Sequence, residues 1–443
     1  MDFLKQIALP QSEAQIGVLY FVLNVIYILL LPFISYLFGA LILSLYHNRK
    51  GRKQNNALSI RFSKDVIDHI LPNKSILLLF GVVPYMALTF AYAQLLQDTA
   101  AISVSILSWG LLLFAAAAAF ASSYQSALKV GGVLESVSAN TEEMESYRTQ
   151  MSETRRTSGK YALIFLVAAG YCLIAGTSLA VHPNQWQTIS SAVELLFSLD
   201  VLAKLIQFVL LSFTITCLGT LFFTFSWQGG SKHLTAEYTE YVKKATLPTG
   251  LITLLLQPLF VVLSVVLLPV QSLTGLVFLS AFLVIFFVFL ASHSVYGMLK
   301  GFVAGYAAKA FYLFVLALGC MVVQGTASLS GATKNSSALL AYRYTIHHEE
   351  LLAKLGINLA IFSGEDIFNA KCSACHEFGA KKVGPAYKDV LPKYENDRTK
   401  LLSFVMNPQK INPAFPPMPN QGLKPAEADS IAAYIMLMYK QAK

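Results

Sequence analysis

Residues 273–299 read LTGLVFLSAFLVIFFVFLASHSVYGML, a stretch that contains no charged side chain. A helix of about 20 apolar residues is long enough to cross the ~30 Å hydrocarbon core of a bilayer, so this stretch predicts a membrane span. The composition of the whole chain agrees, because 55% of the 443 residues are hydrophobic and 13% are charged. A soluble domain carries about 25% charged residues. The composition therefore excludes a soluble enzyme and a disordered chain, and it places most of the protein in lipid.

Eight apolar stretches of this kind occur, separated by polar connections. The predicted spans are 16–45, 75–97, 101–124, 161–181, 200–227, 247–270, 273–299 and 302–325. The first stretch is too long for the apolar part of a cleaved signal peptide, so we expect it to remain as a span. The expected fold class is all-α, a polytopic membrane helix bundle of about eight spans over residues 1–325, followed by a small domain of a different kind.

Basic residues are distributed unequally among the connections, although the chain as a whole has a net charge of +9. Lys and Arg occur in every second connection, namely 46–74, 125–160, 228–246 and the turn at Lys300. The connections between them contain none, namely 98–100, 182–190 and 271–272. Cytoplasmic loops are enriched in Lys and Arg, so the basic set is predicted to be cytoplasmic and both termini to lie on the other face; Lys5 alone disagrees. Charge divided among loops is unlike a clustered nucleic-acid surface, and no nucleic-acid partner is expected.

The run Cys372-Ser373-Ala374-Cys375-His376 has the C-x-x-C-H pattern of c-type haem attachment. Two thiols one helical turn apart can reach the two vinyl groups on one porphyrin edge, and the following His then lies beneath the iron as proximal ligand. Eight residues after this His comes Gly384-Pro385, where a rigid loop can offer a backbone carbonyl to the second imidazole nitrogen. The alternative for the motif is a zinc or redox C-x-x-C followed by an unrelated His.

A second candidate ligand to the iron is Met418, which lies in the Pro-rich run INPAFPPMPNQGL, 42 residues after His376. A thioether held by stiff Pro-Pro-Met-Pro backbone suits a sixth ligand, and Met/His ligation raises the potential and favours electron transfer. Met406, in the helical-looking run LLSFVMNP, is the rival. We expect Met406 to be a core side chain of its helix instead.

At these residues the segment 363–443 resembles the class I monohaem cytochrome c domain. In that family the proximal ligand is the His of C-x-x-C-H and the distal ligand is the Met of a late Met-Pro loop. The resemblance therefore implies one covalent haem c, attached to Cys372 and Cys375, with His376 and Met418 binding the iron. It covers roughly 80 of the 443 residues.

The resemblance also bears on the last helix and on the compartment. The predicted helix 425–441 has the apolar positions Ile431, Tyr434, Ile435 and Leu437. In the family the terminal helices cross at an aromatic contact, which here implies Phe368 against Tyr434. Residues 326–362 then form a linker with a short helix, of which 326–340 is small, polar and flexible. Covalent haem of this type is attached outside the bacterial cytoplasm, so the resemblance implies an inner-membrane protein with a periplasmic cytochrome domain.

A further haem, of the b type, would need two axial ligands inside the bundle. Of the eight histidines in the chain, His293 is the only one within a predicted span, and His47 ends the first span on the same face. The pair His47 and His293 is conceivable as a ligand set. We expect instead that His293 is buried and hydrogen-bonded.

Charged residues inside a membrane are candidates for a functional site. The fifth helix, if the less apolar stretch 184–199 extends it, carries Glu194, Asp200 and Lys204 in its outer third. Asp200 and Lys204 are four residues apart, so they share a helix face and can form an ion pair. The same residues allow a second interpretation, a site that handles quinone or protons.

A second resemblance concerns the membrane part. A first span that runs into a basic loop, followed by LLLFGVVPYMALTFAYAQLL at 77–96, looks like the membrane subunits of cytochrome bd-like respiratory proteins, some of which are fused to cytochrome c. In that family the first span carries a haem-ligating His, whereas YFVLNVIYILLLPFISYLFG at 20–39 has none. The resemblance thus implies a haem-poor relative that acts as a partner or electron-entry subunit.

These observations favour a membrane-anchored electron-transfer subunit of a respiratory complex, which passes electrons between a quinol-linked donor and a terminal oxidase or reductase. Its expected partners are other membrane subunits, a soluble or membrane-bound redox protein, and the lipid bilayer. One alternative is a bd-like oxidoreductase subunit whose bundle binds quinol or non-covalent haem, with haem c as its electron port. A sensor or transporter governed by haem redox state is a third interpretation.

Overall fold

The computed structural model describes residues 11–97, 99–136, 141–355, 363–395 and 397–442. These residues form helices and turns, and no β-strand occurs among them. They divide into two compact units. We call residues 19–333 the membrane unit, and residues 334–442 together with 11–18 the C-terminal unit. Lys5 and part of the predicted linker, 356–362, lie outside the described residues.

Among the described residues, eight helices are long and apolar enough to cross a membrane, and one shorter α-helix lies among them. In chain order the nine are α1 Glu13–Lys53, α2 Ala57–Ile70, α3 Lys74–Leu95, α4 Ser103–Ser136, α5 Glu142–Ala180, α6 Leu199–Phe225, α7 Ala236–Val266, α8 Gly275–Lys300 and α9 Ala304–Ala332. The short helix is α2, which is amphipathic and belongs to the first basic connection. The eight predicted spans are confirmed, and the chain is a multi-pass membrane protein.

Local signals in the sequence explain where several of these helices begin. The side chains of Thr141, Thr235 and Thr274 precede α5, α7 and α8, and each accepts a hydrogen bond from a backbone N–H of the first turn. Such a cap satisfies a donor that has no partner within the helix. After α5 and α7 the chain enters short 3₁₀ turns, at Pro183–Gln185 and at Val270–Ser272, the second directly after Pro269.

Helix α1 has the most buried apolar segment of the eight spans in the described part of the membrane unit. Its most apolar segment is 61% buried, against 33% for the corresponding segments of α7 and α9. Five fully buried large side chains recur every three, four or seven residues and so share one helix face, namely Leu23, Leu30, Ile34, Leu37 and Leu41. In the segment 33–41 the helix is buried on all sides. A side-chain carbon at Gly39 would collide with the Ser212 carbonyl oxygen of α6. A small residue therefore permits close contact between two spans, as is typical in membranes.

Residues 326–332 and 334–340 are helical, although the sequence predicted a flexible linker over 326–340. Helix α9 continues to Ala332, and α10 begins at Lys334. Small polar side chains at the end of α9 form hydrogen bonds to α1. The Thr326 hydroxyl donates to the Asn24 side-chain oxygen at 2.8 Å, and the hydroxyl oxygens of Thr333 and Tyr20 are 2.5 Å apart. These polar residues resemble a linker in composition, but they pair with residues some 300 positions earlier in the chain.

The C-terminal unit is built around the crossing of two helices. Its helices are α10 Lys334–Lys354, α11 Gly364–Lys371, α12 Tyr387–Val390, α13 Arg398–Met406 and α14 Pro425–Ala442. Ring centroids of Phe368 in α11 and Tyr434 in α14 lie 5.7 Å apart, so the expected aromatic contact is confirmed. Ile431 and Ile435 are buried beside it. Helix α10 contributes Tyr342 to the edge of the same core.

One predicted core position of α14 is wrong. Leu437 is 55% exposed, whereas Met436 and Tyr439 are buried. With 3.6 residues per turn, the buried face runs from Ile431 through Ile435 to Tyr439. Leu437 is two residues past Ile435 and therefore points about 160° away from it.

The crossing of α11 and α14 predicts a large effect of a small substitution. A Cβ at Gly364 would lie 2.6 Å from the Cβ of Tyr434 and would also collide with the Ser430 carbonyl. We expect Gly364→Ala to destabilise the C-terminal unit by about 1–3 kcal/mol, the usual cost of overpacking. Proteolysis of the full chain after equilibration in urea measures this cost. Gly379→Ala is the matched control, because a Cβ at Gly379 meets nothing within 4 Å; an equal loss in both variants would contradict the prediction.

Candidate haem-binding site

The C-x-x-C-H residues form a tight turn directly after α11. The backbone N–H groups of Cys375 and His376 both bond to the Cys372 carbonyl, at 3.1 and 2.9 Å. Both cysteines are free thiols. Burial raises the pKa of Cys372 to about 11, with the Lys371 ammonium opposing the shift. The turn thus presents two unpaired thiols and an imidazole on five consecutive residues.

A backbone carbonyl fixes the orientation of the His376 imidazole. Its Nδ1 is 3.2 Å from the Pro385 carbonyl oxygen. Nδ1 therefore carries the proton, and Nε2 keeps its lone pair for a metal ion. The expected role of the Gly384-Pro385 loop as acceptor is confirmed. The loop is itself held in place, because the Gly384 N–H donates to the Cys375 carbonyl at 2.8 Å.

Gly384 also packs directly against the ring that it helps to position. A Cβ at this residue would lie 2.8 Å from Nδ1 and 2.9 Å from Nε2 of His376. On its other side the imidazole stacks on Tyr387, with centroids 5.0 Å apart and planes 8° from parallel. The glycine is therefore required by the close approach of the loop backbone to the imidazole.

His376 and Met418 border the same cavity, of about 480 Å³. Pockets for small molecules and cofactors usually measure about 300–1,000 Å³ and have mainly apolar walls. The remaining wall is mostly apolar or aromatic and includes Leu401, Phe404, Ile411, Phe415, Pro416 and Ile435. A thioether and an imidazole on one apolar cavity are a suitable donor set for haem iron, so the residues present fit a haem.

The rival methionine has a different environment. Met406 ends α13 and packs against the core of the C-terminal unit, and it is absent from the residues that border the cavity. Met418 belongs to the segment between α13 and α14, where Asn412 and Asn420 side chains accept hydrogen bonds from the backbone N–H groups of Ala414 and Gly422. These bonds give the Pro-rich segment a defined course past the cavity.

The histidines of the membrane unit do not form a comparable site. His293 is exposed on α8, so the expectation that it is buried and hydrogen-bonded was wrong. Helix α8 is apolar on all sides, and its pattern therefore gave no indication of which face points outward. His47 is buried, with Nδ1 2.7 Å from the Tyr241 hydroxyl. Within the described residues, no group of three or more His, Cys, Asp and Glu side chains could hold a metal ion.

The ion pair expected in the fifth span is present. Lys204 Nζ lies 2.7 Å from Asp200 Oδ2, and the carboxylate is buried. Glu194 lies outside this pair in a 3₁₀ turn, where it accepts a hydrogen bond from Ser190. Sequence reasoning missed His182, whose Nδ1 is 3.9 Å from the same carboxylate oxygen. Its position just after α5 gave no signal, because the contact joins two different helices.

Comparison with known proteins agrees with the geometry of the C-terminal unit. The family model "Cytochrome c" matches residues 362–438. The chain is 36% identical over 91 residues to cytochrome c-552 of Hydrogenobacter thermophilus. The aligned segment covers 19% of this chain and 92% of that protein. It is also 36% identical over 80 residues to cytochrome c-551 of Pseudomonas denitrificans. This alignment covers 17% of this chain and 98% of that protein. No solved structure matches the chain significantly.

The chain therefore belongs to the cytochrome c family, through a class I cytochrome c domain at its C-terminus. Membership implies a covalently bound haem c and a role in electron transfer. The eight apolar helices add that this cytochrome is a multi-pass membrane protein.

Proposed function

We propose that the protein is a membrane-anchored electron-transfer subunit that holds one haem c through Cys372, Cys375, His376 and Met418. The observation that carries the proposal is the shared cavity, which is bordered by the carbonyl-oriented imidazole of His376 and by the Met418 thioether. When bound, haem supplies one-electron exchange between the ferric and ferrous states of its iron.

Each side chain has a separate task in this proposal. The two thiols form thioether bonds to the vinyl groups, which keeps the group on the chain. The Pro385 carbonyl holds the Nδ1 proton of His376, so that Nε2 would be free to bind a haem iron. Met418 would provide a neutral sulfur donor, which favours the reduced state of a haem iron. The apolar wall excludes water and raises the potential further.

The membrane unit supports a location and a set of partners for this haem. The alternation of basic connections favours an inner-membrane protein whose cytochrome domain faces the periplasm. We infer that the subunit passes electrons between a quinol-linked donor and a terminal oxidase or reductase of a respiratory complex. Exposed Lys381, Lys382 and Lys388 lie close in sequence to the C-x-x-C-H turn and suit an acidic redox partner.

A pyridine haemochromogen spectrum of the purified full chain tests the proposal. We expect one haem c per chain that stays attached after denaturation, because thioether bonds do not dissociate. The double variant Cys372→Ser/Cys375→Ser should lose at least about nine-tenths of this covalent haem. Cys217→Ser/Cys320→Ser is the matched control and should keep it, since these cysteines lie in α6 and α9.

The same spectrum decides against the alternative in which the bundle holds a non-covalent haem. Stoichiometric haem b in addition to haem c would contradict the simple electron-carrier proposal. The exposed position of His293 and the Tyr241 partner of His47 give that alternative little support.

A further inference from the structure

A cavity of about 210 Å³ lies inside the membrane unit, where six spans approach one end of the bundle. Its wall is formed by α1, α3, α5, α6, α7 and α9. In each of these helices the wall residues lie in the half toward the connections that contain no Lys or Arg. The cavity therefore sits within the apolar part of the bundle, on the side of those neutral connections.

The wall is mostly apolar, but polar groups from different helices reach it. They are Tyr27, Tyr92, Thr177, Lys204, Gln207, Ser264, Gln324 and Ser328. The hydroxyls of Tyr27 and Tyr92 are 2.6 Å apart and bond to each other. Lys204 is the only charged residue of the described wall. A ligand in this cavity would thus meet apolar surfaces together with a cation and several hydrogen-bonding groups.

The Lys204 ammonium is held by the carboxylate of Asp200. Lys204 Nζ donates to Asp200 Oδ2 at 2.7 Å, and Ser178 donates to the same oxygen. The other oxygen, Oδ1, is buried without a hydrogen-bond partner. Asp200 and His182 also border a second cavity, whose other polar residues are Asn184, Gln185, Glu194 and Ser198. Asp200 therefore links the two cavities, because it borders the second cavity and accepts a hydrogen bond from Lys204, which borders the first.

These properties restrict the chemical class of the ligand. The surrounding spans favour a molecule that dissolves in lipid. An acyl chain would offer the Lys204 ammonium no acceptor beyond Asp200 and Ser178, whereas an anionic solute would lose its hydration against apolar walls. A flat apolar ring with oxygen acceptors fits both kinds of surface. The volume is less than half that of the 480 Å³ cavity in the C-terminal unit, which favours a one- or two-ring compound over a porphyrin.

We propose that this cavity binds the ring of a quinone or quinol, with Lys204 donating a hydrogen bond to a ring oxygen and Asp200 positioning Lys204. The proposal goes beyond electron transfer by the C-terminal unit, because it assigns a binding site for a lipid-soluble redox molecule to the membrane unit. It concerns binding alone and does not depend on the assignment of the haem ligands.

A glycine on α9 offers a way to fill the cavity without damage to the fold. Gly325 borders the cavity, and a Cβ at this position meets nothing within 4 Å. Gly325→Phe should therefore occupy the cavity while the helix keeps its packing. Gly319→Phe is the matched control, since Gly319 lies on the same helix, has equally open surroundings and does not border the cavity.

The experiment measures retention of decylubiquinone by the purified full chain in phosphatidylcholine nanodiscs, with empty nanodiscs as the lipid background. We expect saturable binding of one molecule per chain, weakened at least about tenfold by Gly325→Phe and unchanged by Gly319→Phe. Binding no greater than in empty nanodiscs would overturn the proposal. So would undiminished binding to Gly325→Phe, or displacement by decylbenzene at the same concentration, which would identify the occupant as a simple hydrocarbon chain.

A second pair of variants tests the role of the ammonium. Lys204→Met removes the charge and should weaken decylubiquinone binding about tenfold or more, the range expected for a lost hydrogen bond to a charged group. Lys309→Met is the control, because Lys309 is an exposed lysine near the other end of α9. Equal affinity of both variants would exclude Lys204 as a donor. Covalent haem content verifies that each variant is made in full, and the Gly325 pair decides the proposal if Lys204→Met does not fold.

Discussion

Replacing Met418 with alanine is expected to lower the reduction potential of the bound haem by on the order of 0.2 V, within the ~0.8 V range that axial ligands cover. The thioether stabilises ferrous iron, and its loss would leave the cavity side of the iron open. We therefore expect the ferrous variant to bind carbon monoxide rapidly. A redox titration of the full chain followed by carbon monoxide difference spectra measures both effects.

The matched control for this prediction is Met406→Ala. Met406 packs against the core and does not border the cavity, so its loss should cost stability and leave the potential nearly unchanged. A fall in potential in Met406→Ala with none in Met418→Ala would assign the sixth ligand to Met406 and refute our proposal for this position.

Gly384→Val is expected to remove His376 from the iron. The branched side chain would occupy the space of the imidazole, since a Cβ alone would lie 2.8 Å from Nδ1. The ring cannot retreat toward Tyr387, on which it is already stacked. We expect a high-spin ferric spectrum in most of the population and a fall in the thermal unfolding midpoint of the domain. Loss of a group that orients a metal ligand typically lowers metal affinity 10- to 100-fold. Displacement of the His376 ligand itself should have a larger effect.

Gly379→Val provides the comparison for Gly384→Val, because Gly379 lies only a few residues away and has open space around its Cα. It should keep the spectrum of the native haem. A low-spin spectrum in both variants would mean that the Gly384 loop yields to the side chain and does not fix the imidazole.

The sequence predicted those parts of the structure that depend on residues close together along the chain. Each span is a long apolar run, and each lies where the hydropathy places it. The C-x-x-C-H turn and the acceptor carbonyl of Pro385 depend on residues within a short distance of one another along the chain.

The features that the sequence did not predict depend on contacts between distant segments. The helical course of residues 326–332 is supported by Asn24 and Tyr20, which a local pattern cannot reveal. The exposed side of His293 is set by the arrangement of neighbouring spans, because α8 has no polar face. The cavity beside Lys204 needs six helices to close it. The four-residue spacing of Asp200 and Lys204 predicted their ion pair, but it gave no indication of the cavity beside them.

The order of the segments along the chain has a consequence for biosynthesis. The connection richest in Lys and Arg follows the first span, and the cysteines of the C-x-x-C-H turn are made after all eight spans. If haem attachment takes place on the periplasmic side, as we propose, then a chain whose early hairpin inserts in the inverted orientation would keep its thiols in the cytoplasm. Haem staining after gel electrophoresis would consequently report whether the C-terminal unit has reached the periplasmic side.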